Sequence, residues 1–136
     1  MRITNFLCCE YASLDSGGKV TLVGAGIDWV SVPSFPARFA FYLFARCTVD
    51  LNEVPGPKTA KLKVIGEDQL VGTQEMPFEI REGMPNANII TIVDIQTERP
   101  AKFRLELTIE GSDQIASWPL EIRQASPPAS PASVGS

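Results

Sequence analysis

Histidine is missing from all 136 residues. That absence excludes Ser-His-Asp and Cys-His catalytic arrangements, together with the imidazole-based zinc and non-haem iron sites. Cysteine is scarce. Cys8, Cys9 and Cys47 are too few for an all-thiolate zinc site, and two of them are adjacent, which is not metal-ligand spacing. Neighbours on a strand point to opposite faces, so a Cys8–Cys9 bond would be strained; buried free thiols are expected, with a bridge from Cys47 to Cys8 or Cys9 as the alternative. Long apolar runs are also missing. The longest, Phe39 to Ala45, falls far short of the ~18–20 residues that span a bilayer, so no membrane role is expected. The amino end carries Arg2, Asn5 and Glu10 where a signal peptide would hold an uninterrupted apolar core, which points to a cytoplasmic chain. Basic clusters are lacking too, and with a net charge of −4 nucleic acid is not an expected partner.

What is present is a series of short alternating runs separated by turn residues. No stretch shows helical apolar spacing over ten or more residues. The runs are Arg2 to Ala12, Lys19 to Val23, Ile27 to Val32, Arg38 to Val49, Thr59 to Ile65, Val71 to Ile80, Asn88 to Ile95, Phe103 to Ile109 and Ala116 to Ile122. In the first, a regular pleat places Ile3, Leu7, Cys9 and Tyr11 on one side. Asp15-Ser16-Gly17-Gly18 reads as a hairpin turn, and Gly24 and Gly26 as a bulge or bend. Phe103, Leu105, Leu107 and Ile109 alternate with polar residues, as do Trp118, Leu120 and Ile122 on the returning strand. The expected fold is all-β, an antiparallel two-sheet sandwich of immunoglobulin-like or related topology with about eight strands, and a barrel as the alternative. Residues 1–123 form the single domain in this reading. The segment QASPPASPASVGS, 124–136, is expected to be a flexible tail.

Two glycine-containing stretches imitate nucleotide-binding loops. Gly24-Ala25-Gly26 lacks a third glycine opening a helix, and Gly17-Gly18-Lys19 lacks both the first glycine and the magnesium-binding hydroxyl of a phosphate loop. Neither implies a cofactor. Loop acids at Glu67-Asp68, Asp50 with Glu53, and Asp113 would make a calcium site only if they converged, since calcium takes six to eight oxygens. No carboxylate pair stands out for hydrolytic chemistry.

One feature points towards a partner. On the Arg38 to Val49 run, Phe39, Phe41, Leu43, Ala45, Cys47 and Val49 share one face, yet Ala40, Tyr42 and Phe44 make the other face apolar as well. Ile89 to Ile95 is similar, with Ile90 and Ile92 on its second face. A sandwich sheet normally keeps one face wet. Either a segment such as Trp29 to Pro36 folds over this surface, or Tyr42, Phe44, Ile90 and Ile92, with Trp29, contact another protein, including a second copy of the chain.

Cys9-Glu10, then Gly18-Lys19-Val20-Thr21-Leu22-Val23-Gly24, then Val32-Pro33-Ser34-Phe35-Pro36 ahead of the aromatic strand resemble a family of small bacterial β-sandwich proteins, a domain-of-unknown-function family. The closing hairpin is similar as well. The resemblance implies the sandwich fold and a stand-alone bacterial cytoplasmic protein, and it carries no active site. The expected function is a non-enzymatic binding or assembly module. The alternatives are a ligand or calcium sensor using the acidic end loops, and a carboxylate-dependent enzyme.

Overall fold

A computed structural model describes residues 1–126, which are all β with no helix among them. The strands are β1 Arg2–Cys9, β2 Tyr11–Leu14, β3 Val20–Val23, β4 Trp29–Val32, β5 Ala37–Thr48, β6 Gly56–Gly66, β7 Gln69–Ile80, β8 Asn86–Thr97, β9 Ala101–Ile109 and β10 Ala116–Gln124. They form a three-stranded sheet in the order β1-β5-β8, a five-stranded sheet in the order β4-β10-β9-β6-β7, and the separate hairpin β2-β3. The count is ten strands where the sequence suggests about eight. Splitting the first run accounts for part of the difference.

Period-two alternation sets the core. Phe41, Leu43, Ala45 and Cys47 of β5 and Ile89, Val93 and Ile95 of β8 face Ala60, Leu62 and Val64 of β6, Leu105 and Leu107 of β9, and Leu120 and Ile122 of β10. Residues between them on the five-stranded sheet are polar and face water, as a half-solvated antiparallel sheet requires. Trp118 packs against this core and its indole N–H donates to the Ile27 carbonyl at 2.7 Å.

The first run departs from its expected phase. The register of β1 against β5 shifts between Ile3 and Asn5, so Ile3 and Cys8 face the core, with Phe6 packed beside them. Leu7 and Cys9 therefore fall on the other face, correcting the Ile3, Leu7, Cys9, Tyr11 alignment: an extra residue in a bulge inverts every side chain beyond it. The run also breaks at Glu10, whose N–H donates to the Val23 carbonyl at 3.0 Å. From there the chain leaves β5 and doubles back as β2.

Its turn is as expected. The Asp15 side chain accepts hydrogen bonds from the N–H groups of Gly17 and Lys19 at 2.8 and 2.9 Å, and Gly18 takes a φ of +82°. The Gly24-Ala25-Gly26 bend leads to β4, and the Gly26 and Ile27 N–H groups both donate to the Cys8 carbonyl. The antiparallel expectation holds except at β4, which runs parallel to β10, with Trp29 opposite Glu121 and Val32 opposite Gln124. At the carboxyl end the Ala125 N–H donates to the Val32 carbonyl at 2.8 Å. Most of the tail expected over 124–136 lies outside the described residues.

Candidate interaction surface

The outer face of the three-stranded sheet is built in rows across its three strands. Leu7, Phe44 and Ile90 form one row, Cys9, Tyr42 and Ile92 the next, and Asn5, Arg46 and Asn88 close the surface at one end. At the other end Asp94 accepts a hydrogen bond from Arg38 Nε at 2.7 Å, and this ion pair holds the Asp94 carboxyl below its ordinary pKa. The apolar residues of β5 and β8 are thus one continuous patch.

The cover over that patch is the β2-β3 hairpin, which lies across β5 and β8, and not the Trp29 to Pro36 segment. Ala12 of β2 is buried on the underside of the hairpin, and the ring of Tyr11 meets that of Tyr42 edge-on at 5.2 Å. Phe44 is only 5% exposed and is unavailable to a partner. Ile90 and Tyr42 are half-buried. Ile92, on β8, stays 55% exposed. The hairpin has four-residue strands, too short to cover a sheet whose strands reach twelve residues.

Trp29 does not join this group. It shares a face with Glu121 and Arg123, on the outside of the five-stranded sheet, where the Arg123 guanidinium lies 4.6 Å from the indole centroid. The sequence offers no means of knowing that the chain changes sheets between β3 and β4.

The loop acids do not converge. Asp50 and Glu53 lie between β5 and β6, where the Met1 ammonium contacts both and Lys58 reaches Glu53 at 3.2 Å. Glu67 and Asp68 form the β6-β7 turn at the far end of β6, both with left-handed φ (52° and 62°), and Arg99 bonds Glu67 at 2.7 Å. Asp113 belongs to the β9-β10 connection.

Beside the apolar patch is a feature that the sequence reading passed over. A cleft of about 610 Å³ separates the tip of the β2-β3 hairpin from the segment joining β7 to β8, and Arg46, Arg81 and Asn88 line it. The only available signal was an arginine ending an otherwise apolar row on β5.

A family model described as a family of unknown function, DUF6941, matches residues 4–123. The chain belongs to that family. No curated protein matches the sequence. Among solved structures, the DUF6941 chain is similar to a glycosyl hydrolase family 2 member from Bacteroides cellulosilyticus, with a TM-score of 0.50 and 7% identity. That match covers 68% of the DUF6941 chain and 13% of the hydrolase chain, and at such identity it concerns the fold alone.

All three thiols of this DUF6941 chain are free and buried, so the alternative of a Cys47 bridge does not hold. Burial pushes the Cys8 thiol up to about 12, aided by neighbouring Cys9, and burial pushes Cys47 up to about 11. Cys9 is raised for the same reason. A thiol held protonated is a poor nucleophile and a poor metal ligand.

Proposed function

We propose that the chain is a non-enzymatic assembly module that pairs with a second copy of itself along β8. The observation that carries this reading is Ile92, 55% exposed on a twelve-residue strand whose backbone pairs with β5 along one side only, while Gln74 of β7 donates to the inward Thr91 hydroxyl at 2.6 Å. Between Asn86 and Thr97 there is no proline or lysine, and the one charge, Asp94, is taken up by Arg38. Proline and unpaired charge are what ordinarily blunt a free sheet edge.

The sequence of β8 also suits antiparallel pairing with itself. With a two-fold axis at Thr91, period-two geometry sets Ile90 opposite the partner's Ile92 and Asn88 opposite the partner's Asp94 on the outer face. On the inner face Ile89 meets the partner's Val93. No like charges oppose each other, and the exposed isoleucine gains an apolar neighbour in both copies. Fully burying such a side chain contributes about 1.5–3 kcal/mol, twice over in a symmetric pair.

The calcium-sensor alternative loses support because Glu67 and Asp68 sit at the opposite end of β6 from Asp50 and Glu53, several of these acids are already ion-paired, and no three of them cluster among the described residues. Nothing in the arrangement of carboxylates favours the enzyme alternative. Light scattering decides the assembly reading: the wild-type chain is expected at twice its 14.8 kDa mass and Ile92→Lys at the single-chain mass. A wild-type chain that stays at the single mass at high concentration overturns it.

A further inference from the structure

We infer that the cleft between the β2-β3 hairpin tip and the β7-β8 segment binds a small carboxylate that also carries an N–H or O–H donor, the chemistry of an N-acylated dipeptide with a free carboxyl end. The first support is the state of the arginines. Arg38, Arg99, Arg104 and Arg123 each face a carboxylate, while Arg2, outside the cleft, is exposed without one. Arg46 and Arg81 line the cleft, and neither has an ion-pair partner among the described residues. In its row Arg46 is flanked by Asn5 and Asn88, not by acids. The lining also holds two carboxylates: Asp15, at the rim, whose Oδ1 is turned to the backbone N–H groups of Gly17 and Lys19, and Glu79, and neither is ion-paired to the arginines. A planar guanidinium presents paired donors that match the two oxygens of a carboxylate.

The second support is independent of charge. Asn88 Oδ1 is buried without a hydrogen-bond partner, and it is the single such side-chain atom among the described residues. Buried polar atoms are nearly always paired, so this acceptor calls for a donor. A simple anion cannot supply one, whereas an amide N–H beside a carboxylate can. Leu14, Phe78 and Met84 add apolar surface to the walls. A volume of about 610 Å³ falls within the range of small-molecule sites, roughly 300–1,000 Å³, which such a ligand suits.

The test is calorimetric titration of the full chain with N-acetyl-alanyl-alanine, its carboxamide, and inorganic phosphate. The free acid is expected to bind, with the carboxamide and phosphate each at least about tenfold weaker, since a hydrogen bond to a charged group is of that order. Arg46→Gln and Arg81→Gln should each weaken the acid by about tenfold or more while circular dichroism stays unchanged. Should Arg46→Gln fail to fold, Arg81→Gln, just past the end of β7, carries the test by itself. Equal binding of acid and carboxamide, equal binding of phosphate, undiminished binding in the folded arginine variants, or no heat with the acid at millimolar concentration would each overturn the inference. Ile92→Lys separates the two proposals, because it should abolish pairing and leave acid binding intact.

Discussion

The two outer faces of this sandwich solve the same problem in opposite ways. On the five-stranded sheet the outward residues carry charges of alternating sign: Lys61 opposes Glu75, Lys63 opposes Glu106, Lys102 opposes Glu121, and Arg104 also reaches Glu106 at 3.6 Å. Water satisfies that face without help. On the three-stranded sheet the outward rows are apolar, and a two-stranded hairpin is folded over them. One face is a finished surface and the other is a second, smaller core with an incomplete roof.

The comparison is broken most strongly at Phe44. Phe44→Ala should destabilise by about 3–5 kcal/mol, as an interior aromatic does, although Phe44 sits on an outward row. Lys63→Ala, in the equivalent position on the other sheet, should stay within about 0.5 kcal/mol. Urea unfolding of both variants checks this, and similar values would mean that the hairpin contributes no real core.

A smaller effect is expected where the hairpin is anchored. Gly24 has a φ of +59°, and a Cβ built there would lie 2.5 Å from the Glu10 side chain. Gly24→Ala should therefore cost about 1–2 kcal/mol, the penalty of a left-handed L-residue. Gly72→Ala on β7, where a Cβ meets nothing within 4 Å, is the control and should leave the melting temperature nearly unchanged.

The thiols sharpen the distinction with the smallest signal. Cys9 lies on the outward side beneath the hairpin, whereas Cys8 and Cys47 belong to the main core. If the hairpin opens by itself, a thiol reagent should modify Cys9 at least about tenfold faster than the other two, each tenfold corresponding to about 1.4 kcal/mol between local and global opening. Mass spectrometry of the modified peptides reports the order, and equal rates would make the two layers one cooperative unit. Alkali adds a signed check. The folded chain keeps the Cys8 and Cys47 protons where the unfolded chain releases them near pH 8.5. Their contribution is complete below that pH and is lost as pH rises through about 11 for Cys47 and about 12 for Cys8.

Much of the fold was legible because alternation is a local record of a sheet with one dry face. Phe103 to Ile109 and Ala116 to Ile122 pair as their spacing indicates. What stayed hidden depended on residues far apart in the chain. The bulge after Ile3 leaves no compositional mark, yet it decides whether Cys8 or Cys9 faces the main core. The parallel course of β4 removes Trp29 from a group it seemed by composition to join. At the site, Tyr42, Phe44, Ile90 and Ile92 do come together, because β5 and β8 are neighbours in the sheet. The cleft was not legible at all, since Arg46 and Arg81 come to line one cleft only through the folding of the hairpin and the β7-β8 connection.

The opposite border of the three-stranded sheet has a different character from β8. There the Gln114 side chain takes the place of a missing neighbour strand, accepting from the Ile3 N–H at 2.8 Å and donating to the Ile3 carbonyl at 3.0 Å, while Gly26 and Ile27 occupy the Cys8 carbonyl. A ribbon sealed along one margin can be lengthened once and then has two sealed margins. Under the proposed pairing along β8, growth on this sheet would terminate at two subunits, with the side-chain amide of Gln114 as the safeguard against fibres.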